Sequence, residues 1–317
     1  MKAITRREFL GGAAAATAAL TLPALVPAAR GMGPGGGGGG MGGGGMGGGG
    51  GMGGGGGGGM GGGVTVIDPP IGAALRQPAL AVNETAEANV FQVSIEARRA
   101  AIDVNGRTAN LLTYNGQFPG PLIRVRNDQI LRLKFRNNLP NNGQVNFLGH
   151  PMFVTNIHTH GLHVTPDINL NGTYGDYMLA MAGPGESLTY EYDLTKHPGG
   201  NLNFYHPHIH GSVTDQMWGG LSAPLIVEDA VTSLAAYAEK VLVLKDITLV
   251  GSEPAPHTSQ MQYMHGLEGD TVMVNGQVNP LLTIVPGEVQ RWRVVNACTA
   301  RFFRLSLQGH SMYLVGT

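Results

Sequence analysis

The sequence predicts an all-β protein of tandem Greek-key β-sandwiches, the second incomplete, and three observations carry that prediction. Apolar and polar residues alternate with a period of two over several short segments. Gly/Pro/Asn clusters punctuate those segments. One turn-and-strand pattern then recurs about 160 residues further on. Period-two alternation is the mark of a half-buried strand, because successive strand side chains point to opposite faces.

The first segment, residues 1–30, reads as an export signal. Lys2, Arg6 and Arg7 give it a basic start, and no charge interrupts the Ala/Leu-rich run from Phe9 to Val26. Val26-Pro27-Ala28 supplies a small-residue cleavage site. Thr5-Arg6-Arg7-Glu8-Phe9-Leu10 resembles a twin-arginine signal, so the mature protein is expected to be periplasmic or secreted. Gly11, Gly12, Thr17 and Pro23 break the run, which argues against a membrane span of about 20 apolar residues. Residues 31–63 hold 27 glycines, five methionines and Pro34. Such a stretch cannot bury enough surface to offset its chain entropy and is expected to be a disordered tether. A second reading is that its thioethers capture a soft metal ion.

From about residue 88, strand follows strand. Leu131, Leu133 and Phe135 alternate with Arg132, Lys134 and Arg136. Leu188, Tyr190, Tyr192 and Leu194 alternate with Thr189, Glu191 and Asp193, and Phe303, Leu305 and Leu307 alternate with Arg304, Ser306 and Gln308. Phe118-Pro119-Gly120-Pro121 and Pro140-Asn141-Asn142-Gly143 mark turns between such runs. No long 3.6-period segment competes, apart from a short helical pattern at 231–239. Asn115-Gly116-Gln117 followed by Pro121-Leu122-Ile123 reads like Asn275-Gly276-Gln277 followed by Pro280-Leu281-Leu282, each leading into a strand. A repeat of that length is one sandwich with its loops, which divides the chain into domains at 64–231 and 232–317. The second copy has only 21 residues after its Asn296, so the chain is expected to stop inside its second domain.

Composition excludes some functions. With 20 basic and 21 acidic residues, no charge excess points to nucleic acid or an anionic membrane. A single cysteine, Cys298, leaves no internal disulfide framework. No histidine adjoins it, so it reads as a buried, inert thiol.

Two histidine clusters carry the chemistry: His158-Thr159-His160-Gly161 and His206-Pro207-His208-Ile209-His210-Gly211. In a strand, residues i and i+2 share a face, so each H-x-H presents two imidazoles side by side. Neutral imidazole is the commonest metal ligand and suits copper, zinc, iron and nickel. Two such pairs on neighbouring strands would make a four-nitrogen half-cage. His163 is expected on the opposite strand face. His150, His197, His257, His265 and His310 sit in polar or loop-like contexts and are expected at the surface. Met261, Met264 and His265 form a possible soft-metal loop that packing explains equally well.

These motifs resemble the multicopper oxidases, the laccases and bacterial copper oxidases. The likeness is carried by Tyr114 to Pro121, Asn156 to His163, and Phe204 to Gly211 with Gln216 to Val227 after it, and it spans roughly residues 88–317. The resemblance implies cupredoxin-like domains, a type 1 copper and a trinuclear copper cluster. It implies one-electron oxidation of a small reducing substrate, a phenol or a metal ion, coupled to reduction of O2 to water. Position by position, His158 resembles a type 2 copper ligand, while His160, His206 and His208 resemble type 3 ligands. His210 falls on a non-ligand histidine of the motif. The family also uses an acidic residue near the cluster to supply protons. Asp176, in Gly175-Asp176-Tyr177, is the candidate and Asp167 the alternative. The family's H-C-H-x-H-type segment, which provides the type 1 site and the other trinuclear ligands, is not found in these 317 residues. The chain alone is therefore expected to be catalytically incomplete. A two-domain nitrite reductase would need a cysteine where Pro207 stands. The rival from another class is a non-enzymatic periplasmic copper-binding or copper-resistance protein, with the Gly/Met segment as its capture arm. Protein partners are not legible.

Overall fold

A computed structural model of the protein describes residues 18–19, 72–228 and 234–316. Most of the expected signal peptide and all of the Gly/Met-rich segment, including Met32, Met41, Met46, Met52 and Met60, lie outside the described residues. No helix among the described residues is long and apolar enough to cross a membrane.

The fold is mostly β, as the alternation predicts. β1 (Ala18–Ala19) forms a short ladder with a later strand. β2 (Val90–Val104), β3 (Arg107–Tyr114), β4 (Ile123–Arg126) and β5 (Ile130–Asn138) follow. β6 (His158–His160), β7 (Ser187–Asp193), β8 (Leu202–His206) and β9 (Ala223–Glu228) complete two four-stranded sheets, ordered β3-β2-β5-β7 and β4-β9-β8-β6. The inward rows of both sheets meet in one core. Leu131, Leu133 and Phe135 of β5 face Tyr205 and Leu225 of the other sheet within a single buried cluster. Sheets stacked in this way bury one face of every strand.

Long pairings tie distant segments together. β2 and β5 run parallel from Val90↔Ile130 to Arg98↔Asn138, while β5 and β7 are antiparallel. A short helix, α1 (Val213–Gly219), links β8 to β9.

The second copy supplies β10 (Ala238–Ile247), β13 (Thr271–Val274) and β15 (Gln290–Asn296) as a three-stranded sheet. β11 (Leu249–Val250) and β12 (Glu253–Pro254) make a short ladder, α2 (Gln260–His265) is a six-residue helix, and β14 (Leu281–Leu282) pairs with β1. The sequence repeat is also a structural repeat. Asn115-Gly116 and Asn275-Gly276 both have two successive positive φ angles, 53° and 73° against 50° and 75°. That conformation is the hairpin turn for which Asn-Gly is favoured. Each asparagine side chain then braces a neighbouring strand. Asn115 accepts from Glu96 N and donates to Ser94 O; Asn275 accepts from Val243 N and donates to Val241 O.

Two expectations need correction. Residues 234–237 form a turn and β10 begins at Ala238, so the described part of 231–239 is not helical. Residues 303–307 keep alternating burial but belong to no ladder among the described residues, since a strand needs a hydrogen-bonded neighbour and no described residue is paired to them.

The two copies pack directly on each other. Leu122 and Ile226 of the first share a buried cluster with Val241, Val243 and Val295 of the second, and Leu202 and Phe204 lie against it. Nearby, Arg124 pairs with both Glu228 and Glu239, and Arg293 donates to Glu239 at 2.7 Å.

Candidate metal centre

The register of β6 against β8 builds the site. His158 is opposite His206 and His160 is opposite Phe204. Within each strand the paired residues are two apart, so all four rings stand on one face of the two-stranded ribbon. Ring centroids are 5.5 Å apart for His158–His160, 5.2 Å for His158–His206 and 5.6 Å for His160–His206. One ligand nitrogen from each of these three residues falls within 4.8 Å of the others. His208, just past the end of β8, brings its ring to 4.9 Å from His158. Of the four imidazoles expected to form a half-cage, three make one group and the fourth, His208, stands beside it. His210 is exposed, with its ring 5.6 Å from His208, and lies outside the three-histidine group.

The ring nitrogens are oriented as well as gathered. His206 Nδ1 lies 2.8 Å from Pro207 O. A carbonyl only accepts, so Nδ1 carries the proton and Nε2 keeps the lone pair. That Nε2 is buried without a hydrogen-bond partner among the described residues, as is His208 Nδ1. Burial, followed by the neighbouring His158, pushes His206 down to about 3. Burial likewise lowers His160 and His208, with His158 adding to the effect. These imidazoles are neutral at neutral pH, which is the ligating form.

Asp176 stands behind His158. Its Oδ1 accepts from Thr159 N at 3.0 Å. Its Oδ2 is 3.0 Å from His158 Nδ1, a close approach whose angle falls short of a hydrogen bond. A carboxylate at that position favours a proton on Nδ1, the tautomer in which Nε2 keeps the lone pair. Asp167 is exposed and accepts from Ile168 N, so of the two candidate carboxylates only Asp176 touches the cluster.

Two further residues hold the frame, and the sequence reading assigns a role to neither. Asn156 is fully buried; its Oδ1 accepts from His208 N at 2.7 Å, and its Nδ2 donates to Met178 O and Ala180 O. It thereby ties both ligand segments to the loop following Asp176. Tyr190, buried in the core, accepts from Ile157 N at 3.1 Å, next to His158. The only sequence signal for Asn156 is its place two residues ahead of the first cluster.

The remaining histidines correct the expectation in part. His150, His265 and His310 are exposed as expected. His197 and His257 are buried instead. His197 Nδ1 accepts from His163 N at 3.1 Å, and His257 Nδ1 contacts Asp215 Oδ1 at 2.9 Å. β6 ends at His160, so His163 lies in the following loop rather than on a strand face. Cys298 is half-buried rather than fully buried, and burial, with Asp246 nearby, pushes its thiol up to about 12. Such a thiol stays protonated and unreactive. Met261 and Met264 are exposed on α2.

Comparison with known proteins fits this geometry. Multicopper oxidase family models match residues 96–232 and 239–317. The chain belongs to the multicopper oxidase family. Among relatives of the family, a multicopper oxidase of Staphylococcus haemolyticus is 28% identical over 209 residues, covering 65% of this chain and 42% of that protein. One from Mycobacterium tuberculosis is 29% identical over 249 residues, covering 69% and 45%. The solved structure of a Campylobacter jejuni multicopper oxidase, described as a metallo-oxidase, aligns with a TM-score of 0.59 at 27% identity, covering 74% of this chain and 45% of that one. A Pseudomonas thermotolerans multicopper oxidase aligns at 0.57 and 26%, covering 70% and 50%. The chain thus spans about half the length of these relatives or slightly less. Membership makes copper the cofactor, and the site fits it: clustered neutral imidazoles, with buried ring nitrogens left without a protein partner, are borderline donors that suit copper.

Proposed function

We propose that this chain supplies one half of a copper cluster in an oxidase that couples one-electron oxidation of a small reductant, a phenol or a metal ion, to reduction of O2 to water. The convergence of His158, His160 and His206 on one face, with the His208 ring 4.9 Å from His158, carries this reading. His158 is assigned as a type 2 ligand, and His160, His206 and His208 as type 3 ligands. Copper, when bound, supplies the stepwise electron transfer that a four-electron reduction requires. The chain's own residues do the rest. Asn156 and the strand ladder fix the ligand spacing, Pro207 O selects the free nitrogen of His206, and Asp176 holds a carboxylate beside His158 from which protons can be supplied. The chain is further proposed to be exported by the twin-arginine route, to divide into domains at 64–231 and 232–317, and to be catalytically incomplete without type 1 copper ligands.

The test is Cu(II) binding by the purified 317-residue chain, measured by metal analysis after gel filtration. The parent is expected to retain copper, and the His158→Ala/His206→Ala double variant to lose it while remaining folded. Oxygen uptake with a phenol or Cu(I) is expected to be absent. A parent chain that holds no copper sinks the reading. Copper retention that disappears on deletion of residues 31–63, and survives the histidine substitutions, would favour a copper-capture protein instead.

A further inference from the structure

The four-ring face of β6 and β8 has three imidazoles and one phenyl, and the phenyl belongs to Phe204. Its ring lies 5.0 Å from His206 with the planes 20° apart, a stacked contact. It meets His160 edge-on at 4.9 Å and 75°. The histidines beside it have polar partners: Pro207 O for His206 and the Asp176 carboxylate for His158. The ring of His160 makes no hydrogen bond among the described residues, and His160 is also exposed. Ligand imidazoles normally have their second nitrogen held, which fixes ring orientation. For His160, the rings of Phe204, His158 and His206 are what remain to do this.

Phe204 is itself held from behind. It is half-buried against the cluster of Leu122, Ile226, Val241, Val243 and Val295, which joins the two copies of the fold. The phenyl is thus wedged between the packed interface and two imidazoles. Aromatic pairs prefer offset-stacked or edge-on arrangements, with centroids 4.5–7 Å apart, and Phe204 makes one of each. A branched or flexible aliphatic side chain fills similar volume but offers no flat face and no ring edge.

We propose that Phe204 is a positioning residue that sets the ring planes of His160 and His206 at the metal centre. This rests on the copper reading above. The experiment uses the full chain loaded with Cu(II), with affinity measured by chelator competition and geometry by the copper hyperfine pattern in electron paramagnetic resonance. Phe204→Leu and Phe204→Met are expected to weaken Cu(II) binding about tenfold or more, the range seen when supporting groups around a metal are removed, and to change the hyperfine pattern. Phe204→Trp restores a flat ring and is expected to recover both. Val243→Ala loosens the same interface cluster without touching an imidazole. It should lower the unfolding temperature while leaving the copper signal unchanged.

Parent-like affinity and spectrum in Phe204→Leu or Phe204→Met overturns the proposal. So does a Val243→Ala variant whose copper signal shifts as far as theirs, since general loosening would then be the cause. Failure of the copper reading looks different, because the parent itself would bind no Cu(II).

Discussion

At the scale of single residues, the centre depends on polar atoms that have no spare partners. Asn156 shows this best, because one buried amide serves His208 N and the carbonyls of Met178 and Ala180. Asn156→Ala would leave one N–H and two carbonyls without that partner. A loss of about 3 kcal/mol is expected, roughly 1 kcal/mol for each hydrogen bond. Urea unfolding checks it: the midpoint should fall with an unchanged slope, and copper affinity should fall as well. A variant as stable as the parent would show that water replaces the amide at little cost. The clustering of His158, His160 and His206 was legible because H-x-H in a strand is a periodic signal. Asn156, Tyr190 and Phe204 were not, since one asparagine or aromatic residue in a strand-rich sequence has many packing roles. His197 and His257 were misjudged for a related reason: their burial comes from long-range contacts with His163 and Asp215, which their neighbours in sequence do not show.

At the scale of elements, the turn leaving β6 is as demanding as the strand. Gly161 has φ +96°, and a Cβ there would sit 2.5 Å from Asn203 Oδ1 on β8. Gly161→Ala is therefore expected to cost about 1–3 kcal/mol through backbone strain, with displacement of Asn203 added. Because the clash lies between the two ligand strands, hydrogen exchange should accelerate at the β6–β8 ladder more than at β2–β5. Uniform acceleration would place the damage elsewhere. Strand alternation allowed most elements to be foreseen, β5 and β7 most clearly. It failed at 303–307, where side-chain alternation is present but no ladder exists among the described residues. Alternation reports which face is apolar; it cannot report whether a neighbouring strand is there to pair.

At the scale of the whole molecule, the two copies are joined by charge as well as by apolar packing. Lys245 of β10 is 1% exposed, donates to Asp246 O and places its ammonium 4.9 Å from the Trp218 ring of α1. Burial lowers it to about 8, from an ordinary 10.5. The unfolded chain holds that proton up to about pH 10.5 and the folded chain releases it near pH 8. The destabilisation is therefore complete below pH 8 and relieved as pH rises towards 10.5. Lys245→Met is expected to be more stable than the parent at pH 7, by about 1–3 kcal/mol once the lost hydrogen bond and cation–π contact are allowed for. The gap should narrow between pH 8 and pH 10.5, as read by denaturant midpoints across that range. A constant gap would mean the ammonium is not the source.

The contact between His206 and Pro207 has a consequence for protein engineering. The lone pair of His206 is selected by a backbone oxygen of the very next residue, so the choice of nitrogen needs no help from a distant side chain. The tautomer lock is encoded within a dipeptide. Transplanted onto another antiparallel ribbon, His-Pro would bring its own ligating nitrogen already specified, and the host would have only to provide the facing histidine.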